Sequence, residues 1–426
     1  MRIYFTLLMF FLASYSYSQT RISGKVVDDR TNLPVSGISV YLNNTTCGTA
    51  TDKDGEFVIS CPIIGKAELV FSHISYAKQI KIIEAGAGQN LEVSLKAKDN
   101  NLDEVVIKLP NKKRLSIADK ERWYKLFSIN LIGVYGHGSS ICKITNPEVL
   151  DYYFDDETKQ LTVKANKPLE IENLNLGYKI RLDLENFEFN LLNNEVAFKY
   201  SCFYEELKRN KFRNTEVINN RNLAYKGSAM HFMRTLYLNR LVEAGFQLYR
   251  YKADKNIEKK RVKEIILERM AKAYATEDKP NVSVEYLFNK DTAAYYTAVM
   301  KQSDVKKFDA VEVGALQLTE KNKATRTVNF KSSDTLLVNY KKYIVDPKTR
   351  VPVHTLGQTI YRHVELSDVD SKPPLVTFMY FFEPGGINIE RNGYYAEFSL
   401  FMYGDMAERR IANALPFDFE PKEEEK

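Results

Sequence analysis

Seven short apolar runs between residues 21 and 96 limit the possible folds of this chain more than any other feature. Polar turns separate the runs, which are Ile22–Val27, Ile38–Leu42, Thr49–Thr51, Glu56–Ile59, Ala67–Phe71, Gln79–Ile83 and Leu91–Leu95. Closely spaced short strands of this kind are typical of a small β-sandwich. We therefore predict a sandwich over residues 19–97.

The stretch Thr46–Ile59 is predicted to form a tight β-hairpin within this sandwich. Residues 52–55, Asp-Lys-Asp-Gly, supply the turn, because Asp hydrogen-bonds its own backbone and Gly adopts a positive φ at little cost. The same residues resemble a fragment of a calcium loop. They lack the further oxygens and the distal bidentate Glu that calcium needs, so we interpret them as a turn.

Four stretches carry a resemblance to a known family. They are ISGKVVD at 22–28, LPVSGISV at 33–40, GTATDKDGEF at 48–57 and LVFS at 69–72. Together they resemble the carboxypeptidase regulatory-like domain of Bacteroidota envelope proteins, which is a transthyretin-like sandwich. The segment HISY at 73–76 departs from the pattern, since such domains usually have a Gly before the Tyr. The resemblance implies a non-catalytic domain attached to a larger protein.

The histidines argue against carboxypeptidase activity. A zinc carboxypeptidase needs a His and a Glu three residues apart, together with a distant His. The five histidines are His73, His137, His231, His354 and His363, and none has a Glu three residues later. The sequence predicts no metal site and no cofactor, and it favours a non-enzymatic protein.

The first 18 residues are predicted to be a secretory signal peptide. Arg2 supplies the positive charge, Ile3–Ala13 is the apolar segment, and cleavage is expected between Ser18 and Gln19. No later run is long enough for a transmembrane helix. We expect an exported protein that is periplasmic or outer-membrane associated, or extracellular. The net charge of +6 is modest and mixed along the chain, so nucleic acid is not expected as a partner.

Export permits disulfide bonds, and the chain has four cysteines. Cys47 and Cys61 flank the predicted hairpin and can form a disulfide, although two buried free thiols explain the pattern equally well. Cys142 and Cys202 cannot be paired from sequence alone.

A polar linker over residues 98–114 follows the sandwich. It contains a segment that resembles the box following such a sandwich in TonB-dependent outer-membrane transporters. The segment consists of Leu102, Asp103, Glu104, Val105, Val106 and Ile107. It can add as an edge strand to a partner protein, or it can simply connect the two domains.

Residues 115–420 are predicted to form one larger domain, followed by a charged tail over 421–426. Strand-like runs dominate, including Val282–Phe288, and helices are predicted near 113–131, 222–246, 256–275 and 402–412. Three stretches loosely resemble a Bacteroidota family that joins the same sandwich to a region of unknown function: NLNLGYKI at 173–180, NLAYKGSAMHF at 222–232 and RIANALP at 410–416. The whole chain is thus expected to be β-rich and of the α+β class, with an immunoglobulin- or transthyretin-like sandwich followed by a mixed β-sheet domain with inserted helices.

One helical cluster is the candidate ligand site. It comprises Tyr225, Ser228, His231 and Arg234, and the i, i+3 spacing of Ser228 and His231 places them on one face. Such a cluster can bind an anionic or sugar ligand, but a buried polar network that ties helix to sheet is the favoured interpretation. The segment Gly136–Ser140 lacks the Gly-x-Ser-x-Gly order of a nucleophile turn and is interpreted as a loop.

These observations lead to one preferred function and two alternatives. We expect an exported, non-enzymatic accessory or binding protein of the cell envelope, whose partner is an envelope protein or a glycan. The first alternative is an envelope hydrolase whose site is assembled from dispersed residues around His231 or His137. The second is a component of TonB-dependent uptake that acts through Leu102–Ile107.

Overall fold

In a computed structural model of the chain, the described residues are 20–62, 65–84, 88–98, 112–114, 117–133, 141–192, 195–208, 211–276, 283–302, 305–340, 350–355, 358–363 and 375–422. The predicted signal peptide, the segment Leu102–Ile107 and the loop Gly136–Ser140 lie outside these ranges.

Seven strands form a two-sheet sandwich. They are β1 (Thr20–Asp28), β2 (Ser39–Leu42), β3 (Gly48–Ala50), β4 (Glu56–Cys61), β5 (Lys66–His73), β6 (Tyr76–Glu84) and β7 (Gln89–Leu95). One sheet has the order β4-β1-β7 and the other has the order β3-β2-β5-β6. Strand β4 illustrates why they pack, because Phe57, Ile59 and Cys61 are buried while the alternate residues are exposed. The predicted β-rich fold with an N-terminal sandwich is confirmed.

The hairpin prediction for Thr46–Ile59 is wrong in one respect. The turn forms as predicted, with the Asp52 carboxylate accepting hydrogen bonds from the backbone N–H groups of Asp54 (2.9 Å) and Glu56 (2.8 Å). However, β3 pairs with β2, whereas β4 pairs with β1. The turn is therefore a corner between the two sheets. Residue alternation identifies the buried face of a strand but not its neighbour.

The structure joins Cys47 to Cys61 by a disulfide whose Cα atoms are 6.1 Å apart. Because Cys47 precedes β3 and Cys61 ends β4, the bond links the two sheets of the sandwich. Replacing both cysteines with serine is expected to lower the free energy of unfolding by about 2 kcal/mol, since the cross-link restricts the unfolded chain.

Denaturant unfolding with and without a reductant measures this effect. The reductant should lower the midpoint of the wild-type protein and leave the double-serine variant unchanged. An unchanged wild-type midpoint would argue that this bond contributes nothing to stability.

A seven-stranded sheet, which we call the second sheet, follows the sandwich and the linker region. Its strands are β8 (Lys112–Arg114), β9 (Cys142–Ile144), β10 (Leu150–Asp155), β11 (Gln160–Ala165), β12 (Leu169–Asn173), β13 (Tyr178–Asn190) and β14 (Glu195–Glu206). Their order is β8-β10-β11-β13-β12-β9, and β14 pairs along the other side of β13. Helix α1 (Ile117–Ile132) covers this sheet, with Phe127 in edge-to-face contact with Phe187 at 4.7 Å between ring centres.

The remaining strands form smaller sheets. They are β15 (Phe246–Lys255), β16 (Val305–Glu312), β17 (Thr319–Asn322), β18 (Thr327–Phe330), β19 (Thr335–Tyr340), β20 (Arg350–Thr355), β21 (Gln358–His363), β22 (Leu375–Phe381), β23 (Ile387–Ile389) and β24 (Leu400–Gly404). Five of them have the order β16-β15-β19-β22-β24, three have the order β17-β18-β23, and β20 pairs with β21.

Seven further α-helices lie among the described residues. They are α2 (Lys211–Tyr225), α3 (Ala229–Tyr237), α4 (Leu241–Ala244), α5 (Ile257–Thr276), α6 (Val284–Leu287), α7 (Lys290–Met300) and α8 (Asp405–Glu408). Within the described ranges, no helix is both long enough and apolar enough to cross a membrane.

Three predicted elements of the second region differ from the structure. The single helix predicted over 222–246 is divided into α2, α3 and α4, because Gly227 and Asn239 have φ values of +75° and +56° that interrupt a right-handed helix. Gly245, with φ +97°, ends α4. The predicted strand Val282–Phe288 contains helix α6, and Asn289 caps the next helix by accepting a hydrogen bond from the Thr292 N–H. The helix predicted over 402–412 is strand β24 followed by the short helix α8.

A buried ion pair joins α8 to the end of α2. Arg409 and Asp405 lie 3.1 Å apart, and their side chains are 3% and 7% exposed. The Arg409 guanidinium also donates to the backbone carbonyls of Lys226 (2.7 Å) and Ala224 (3.3 Å). The pair therefore fixes the chain at the point where α2 ends.

Candidate functional site

The sandwich is attached to the second sheet by backbone pairing. The loop after β2, residues Asn43–Thr46, lies along the free edge of β14. The Asn44 N–H donates to the Cys202 carbonyl (2.8 Å), and the Tyr204 N–H donates to the Thr45 carbonyl (3.0 Å). The Asn43 side chain also accepts a hydrogen bond from the Cys202 N–H (2.9 Å). The loop thus acts as a short additional strand on β14.

Side chains reinforce this junction. The Tyr41 hydroxyl donates to Asp183 (2.8 Å), and burial together with this carboxylate raises the pKa of Tyr41. Lys78 contacts Glu185 at 2.6 Å. Burial alone would raise the pKa of Glu185, but hydrogen bonds from Lys78 and Lys199 outweigh it and lower that pKa. The Lys78–Glu185 pair therefore places opposite charges on the two sides of the junction.

Residues 415–422, which we call the C-terminal strap, cover the same loop from the other side. The Phe417 N–H donates to the Asn44 carbonyl (2.7 Å). The Asp418 carboxylate accepts hydrogen bonds from the Thr46 N–H (3.0 Å) and from the Thr46 hydroxyl. Asn222 on α2 holds the far end of the strap through the Lys422 carbonyl (3.0 Å).

A cleft of about 370 Å³ lies where the sandwich loop, helix α2 and the strap meet. Helix α2 contributes the residues Asn214, Val217, Ile218, Arg221 and Asn222. Their spacing of three and four places them on one face of the helix. The sandwich contributes Thr46 to the lining, β14 contributes Glu206, and the strap contributes Asp418 and Phe419. The cleft therefore exists only when all three parts are assembled.

Arg221 is the central side chain of the cleft. Its guanidinium stacks on the Tyr178 ring, 3.8 Å from the ring centre, and makes paired hydrogen bonds to Glu206 (2.9 and 2.8 Å). Its Nε donates to the Leu176 carbonyl (2.6 Å). Paired bonds of this kind hold a guanidinium in one orientation. The Arg221–Glu206 pair therefore presents donors and acceptors at fixed positions.

The predicted cluster of Tyr225, Ser228, His231 and Arg234 lies behind the strap, and the structure brings its members together. Ser228 caps helix α3 by accepting a hydrogen bond from the His231 N–H (3.1 Å). The His231 Nδ1 accepts a hydrogen bond from the Gly227 N–H (3.1 Å), and the His231 ring lies 4.7 Å from the Tyr225 ring. These contacts hold the His231 ring against the Gly227 backbone and the Tyr225 ring.

Arg234 is directed at the strap. Its guanidinium donates to the carbonyls of Phe417 (3.1 Å), Phe419 (2.9 Å) and Asn392 (2.9 Å). Only 6% of Arg234 is exposed. Arg234 therefore holds one wall of the cleft in place from outside it.

The sequence prediction missed the residues that line the cleft. Thr46, Arg221 and Asp418 come from distant parts of the chain, and none belongs to a recognisable motif. The three- and four-residue spacing within Asn214–Asn222 was the one feature that could have indicated a helix face. Because the segment is mostly polar, this spacing was not recognised. Among the described residues, no group of three or more His, Cys, Asp or Glu side chains is arranged to hold a metal ion.

Cys142 and Cys202 are buried free thiols. Burial raises the pKa of each to about 12. The Cys202 thiol lies 3.0 Å from the Asn44 side-chain oxygen, at the sandwich junction. A thiol with a raised pKa is a poor nucleophile, so both cysteines serve packing.

Comparison with known proteins supports the sandwich assignment. Residues 22–107 match the CarboxypepD_reg-like domain family, so the chain carries a carboxypeptidase regulatory-like domain in this region. Similar curated proteins include TonB-dependent receptors P3 and P39 of Formosa agariphila, each 30% identical over 104 and 105 residues respectively. The matches cover 24% of this chain and 10% of each receptor, so the chain aligns with about a tenth of the length of these relatives.

One similar solved structure is that of a DUF3823 family protein from Bacteroides ovatus ATCC 8483. It is 8% identical and covers 44% of this chain and 96% of that protein, with a TM-score of 0.16.

Proposed function

We propose that this chain is an exported, non-enzymatic binding protein of the cell envelope and that its recognition site is the junction cleft. The carrying observation is that the sandwich loop, helix α2 and the C-terminal strap together form one cleft. The carboxypeptidase regulatory-like domain and the similarity to TonB-dependent receptors support an envelope setting.

The arrangement of the cleft favours binding over catalysis. Arg221 and Asp418 are held by protein partners, and a fixed array of donors and acceptors suits recognition. A hydrolase would need a nucleophile together with a base, and His231 already accepts a hydrogen bond from the Gly227 backbone. In this proposal the sandwich is a docked wall of the site and not a free spacer.

Envelope capture with paired substitutions on α2 tests the proposal. The change Asn214→Trp places a large ring in the cleft, whereas Asn219→Trp places the same ring on an exposed position of α2 outside the cleft. After mild cross-linking in native envelopes, wild-type protein and the Asn219 variant should recover the same stoichiometric partner. The Asn214 variant should lose it.

Two outcomes would contradict the proposal. Recovery of the partner by all three proteins would place recognition elsewhere, and recovery of no partner would remove the binding role. If His231→Ala abolished a hydrolytic activity without changing the melting temperature, the hydrolase alternative would replace the proposal.

One observation favours a second candidate, a link to TonB-dependent uptake. The family match extends to residue 107 and therefore includes Leu102–Ile107. In this candidate the segment adds as an edge strand to a transporter partner. Deleting residues 102–107 should then abolish envelope association, and unchanged association would exclude this role.

A further inference from the structure

Several of the charged side chains that line the junction cleft have partners within the protein. Arg221 is paired with Glu206, and Asp418 accepts hydrogen bonds from Thr46. The strap adds Glu420 and Lys422 to the lining. The lining therefore contains three carboxylates and two cations, Glu206, Asp418 and Glu420 against Arg221 and Lys422. Because the lining carries one more carboxylate than cations, it disfavours an anionic ligand.

The paired groups still offer hydrogen bonds. The Glu206 side chain is 61% exposed, so its carboxylate oxygens have free lone pairs facing solvent. Asn214 contributes an exposed amide at the mouth of the cleft, which can both donate and accept. Hydroxyl groups match such a surface because each one donates and accepts, and bonds to charged groups are the stronger kind.

Apolar surface lies beside these polar groups. Leu207, Ile218 and Phe419 are half-buried and line the cleft. The C–H face of a sugar ring packs against surfaces of this kind, while its hydroxyls reach the polar wall. A volume of about 370 Å³ lies at the small end of the range for ligand pockets, roughly 300–1,000 Å³.

We infer that the junction cleft binds a neutral saccharide of one or two sugar residues, either free or at the end of a longer glycan. This inference rests on the proposed function, since it specifies the ligand of the same cleft. The polar wall selects hydroxyls, the excess of carboxylates over cations disfavours acidic sugars, and the small volume limits the length of glycan that is enclosed.

Calorimetric titration of the mature chain, residues 19–426, tests the inference. The neutral probes are cellobiose, maltose, lactose and mannobiose, and the acidic probe is digalacturonate. At least one neutral disaccharide should bind with a Kd of roughly 1 mM or tighter. Digalacturonate should bind at least tenfold more weakly.

Two substitutions on β14 provide matched variants. Glu206→Gln should weaken disaccharide binding at least tenfold, because it removes the charge from the exposed acceptor of the cleft. Glu205→Gln makes the same change on the next residue, which points to the opposite face of the strand and does not line the cleft. It should leave the Kd unchanged, and equal melting temperatures would show that both variants fold.

The hexaose of the same linkage distinguishes the two sources of ligand. Equal affinity for the hexaose and the disaccharide identifies the end of a glycan chain, whereas binding of the disaccharide alone identifies a free sugar. The inference is overturned if no neutral disaccharide binds, if Glu206→Gln has no effect, or if digalacturonate binds more tightly. If sugars fail while envelope capture still depends on Asn214, the saccharide inference fails and the proposed function stands. If capture fails as well, both fail.

Discussion

Replacing Arg409 with methionine is expected to lower the free energy of unfolding by about 4 kcal/mol. The substitution leaves the buried Asp405 carboxylate, whose side chain is 7% exposed, without its cation. It also leaves the carbonyls of Lys226 and Ala224 without the guanidinium that hydrogen-bonds them. An uncompensated buried charge costs more than the intact pair contributes, so the loss is large.

Denaturant unfolding of a double-mutant cycle measures this effect. Combining Arg409→Met with Asp405→Leu removes both charges and should recover about 2 kcal/mol relative to the Arg409 variant alone. Arg261→Met is a useful control because Arg261 forms an ion pair with Glu258 that is largely exposed. It should change stability by less than about 0.5 kcal/mol. A double variant less stable than the Arg409 single variant would contradict the account given for this pair.

Replacing Arg234 with methionine is expected to lower the free energy of unfolding by about 3 kcal/mol. Three backbone carbonyls lose the hydrogen bonds that the Arg234 guanidinium donates to them, and two of these carbonyls belong to the strap. The strap should therefore loosen before the rest of the protein unfolds. This predicts a local effect in addition to the global one.

Hydrogen exchange followed by mass spectrometry separates the two effects. Amides of residues 415–422 should exchange faster in the Arg234→Met variant, whereas those of the sandwich core, such as Val26 and Phe71, should change much less. Arg240→Met is the matched control, since Arg240 lies just beyond α3 and its side chain is 64% exposed. Uniform acceleration across the chain would show that Arg234 stabilises the whole fold and not the strap in particular.

The sandwich was predictable because its information is local. Strands β1, β4 and β7 largely alternate buried and more exposed residues, and Asp52 and Gly55 are residue types that favour a turn. The pairing of β3 and β4 with different sheets was not predictable in the same way, since both arrangements bury Phe57 and Ile59. The residues of the candidate site were harder still. Arg221 meets Tyr178 and Glu206 through a contact between a helix and a sheet, and no local pattern encodes that contact.

The helices of the second region show where local reasoning failed. The start of α2 at Lys211 is strongly polar, so it contains no apolar stripe that would indicate a helix. Gly227 and Asn239 lie inside a stretch with good helical periodicity, and only their left-handed backbone shows that the helix is interrupted. Helix α6 was predicted as a strand because Val284 and Tyr286 alternate with polar residues over too short a window to decide.

The pairing of Thr46 with Asp418 has a consequence for how the chain matures. The two residues are separated by 372 positions, so Asp418 is synthesised long after Thr46. The sandwich has its own core and can fold early, yet the edge of β14 and the strap that complete its surroundings emerge much later. Contacts of such large sequence separation form slowly because a long loop must close first. Between these two events the loop Asn43–Thr46 lacks the hydrogen bonds to β14 and the strap, and this interval is when a chaperone or a competing strand has access to it.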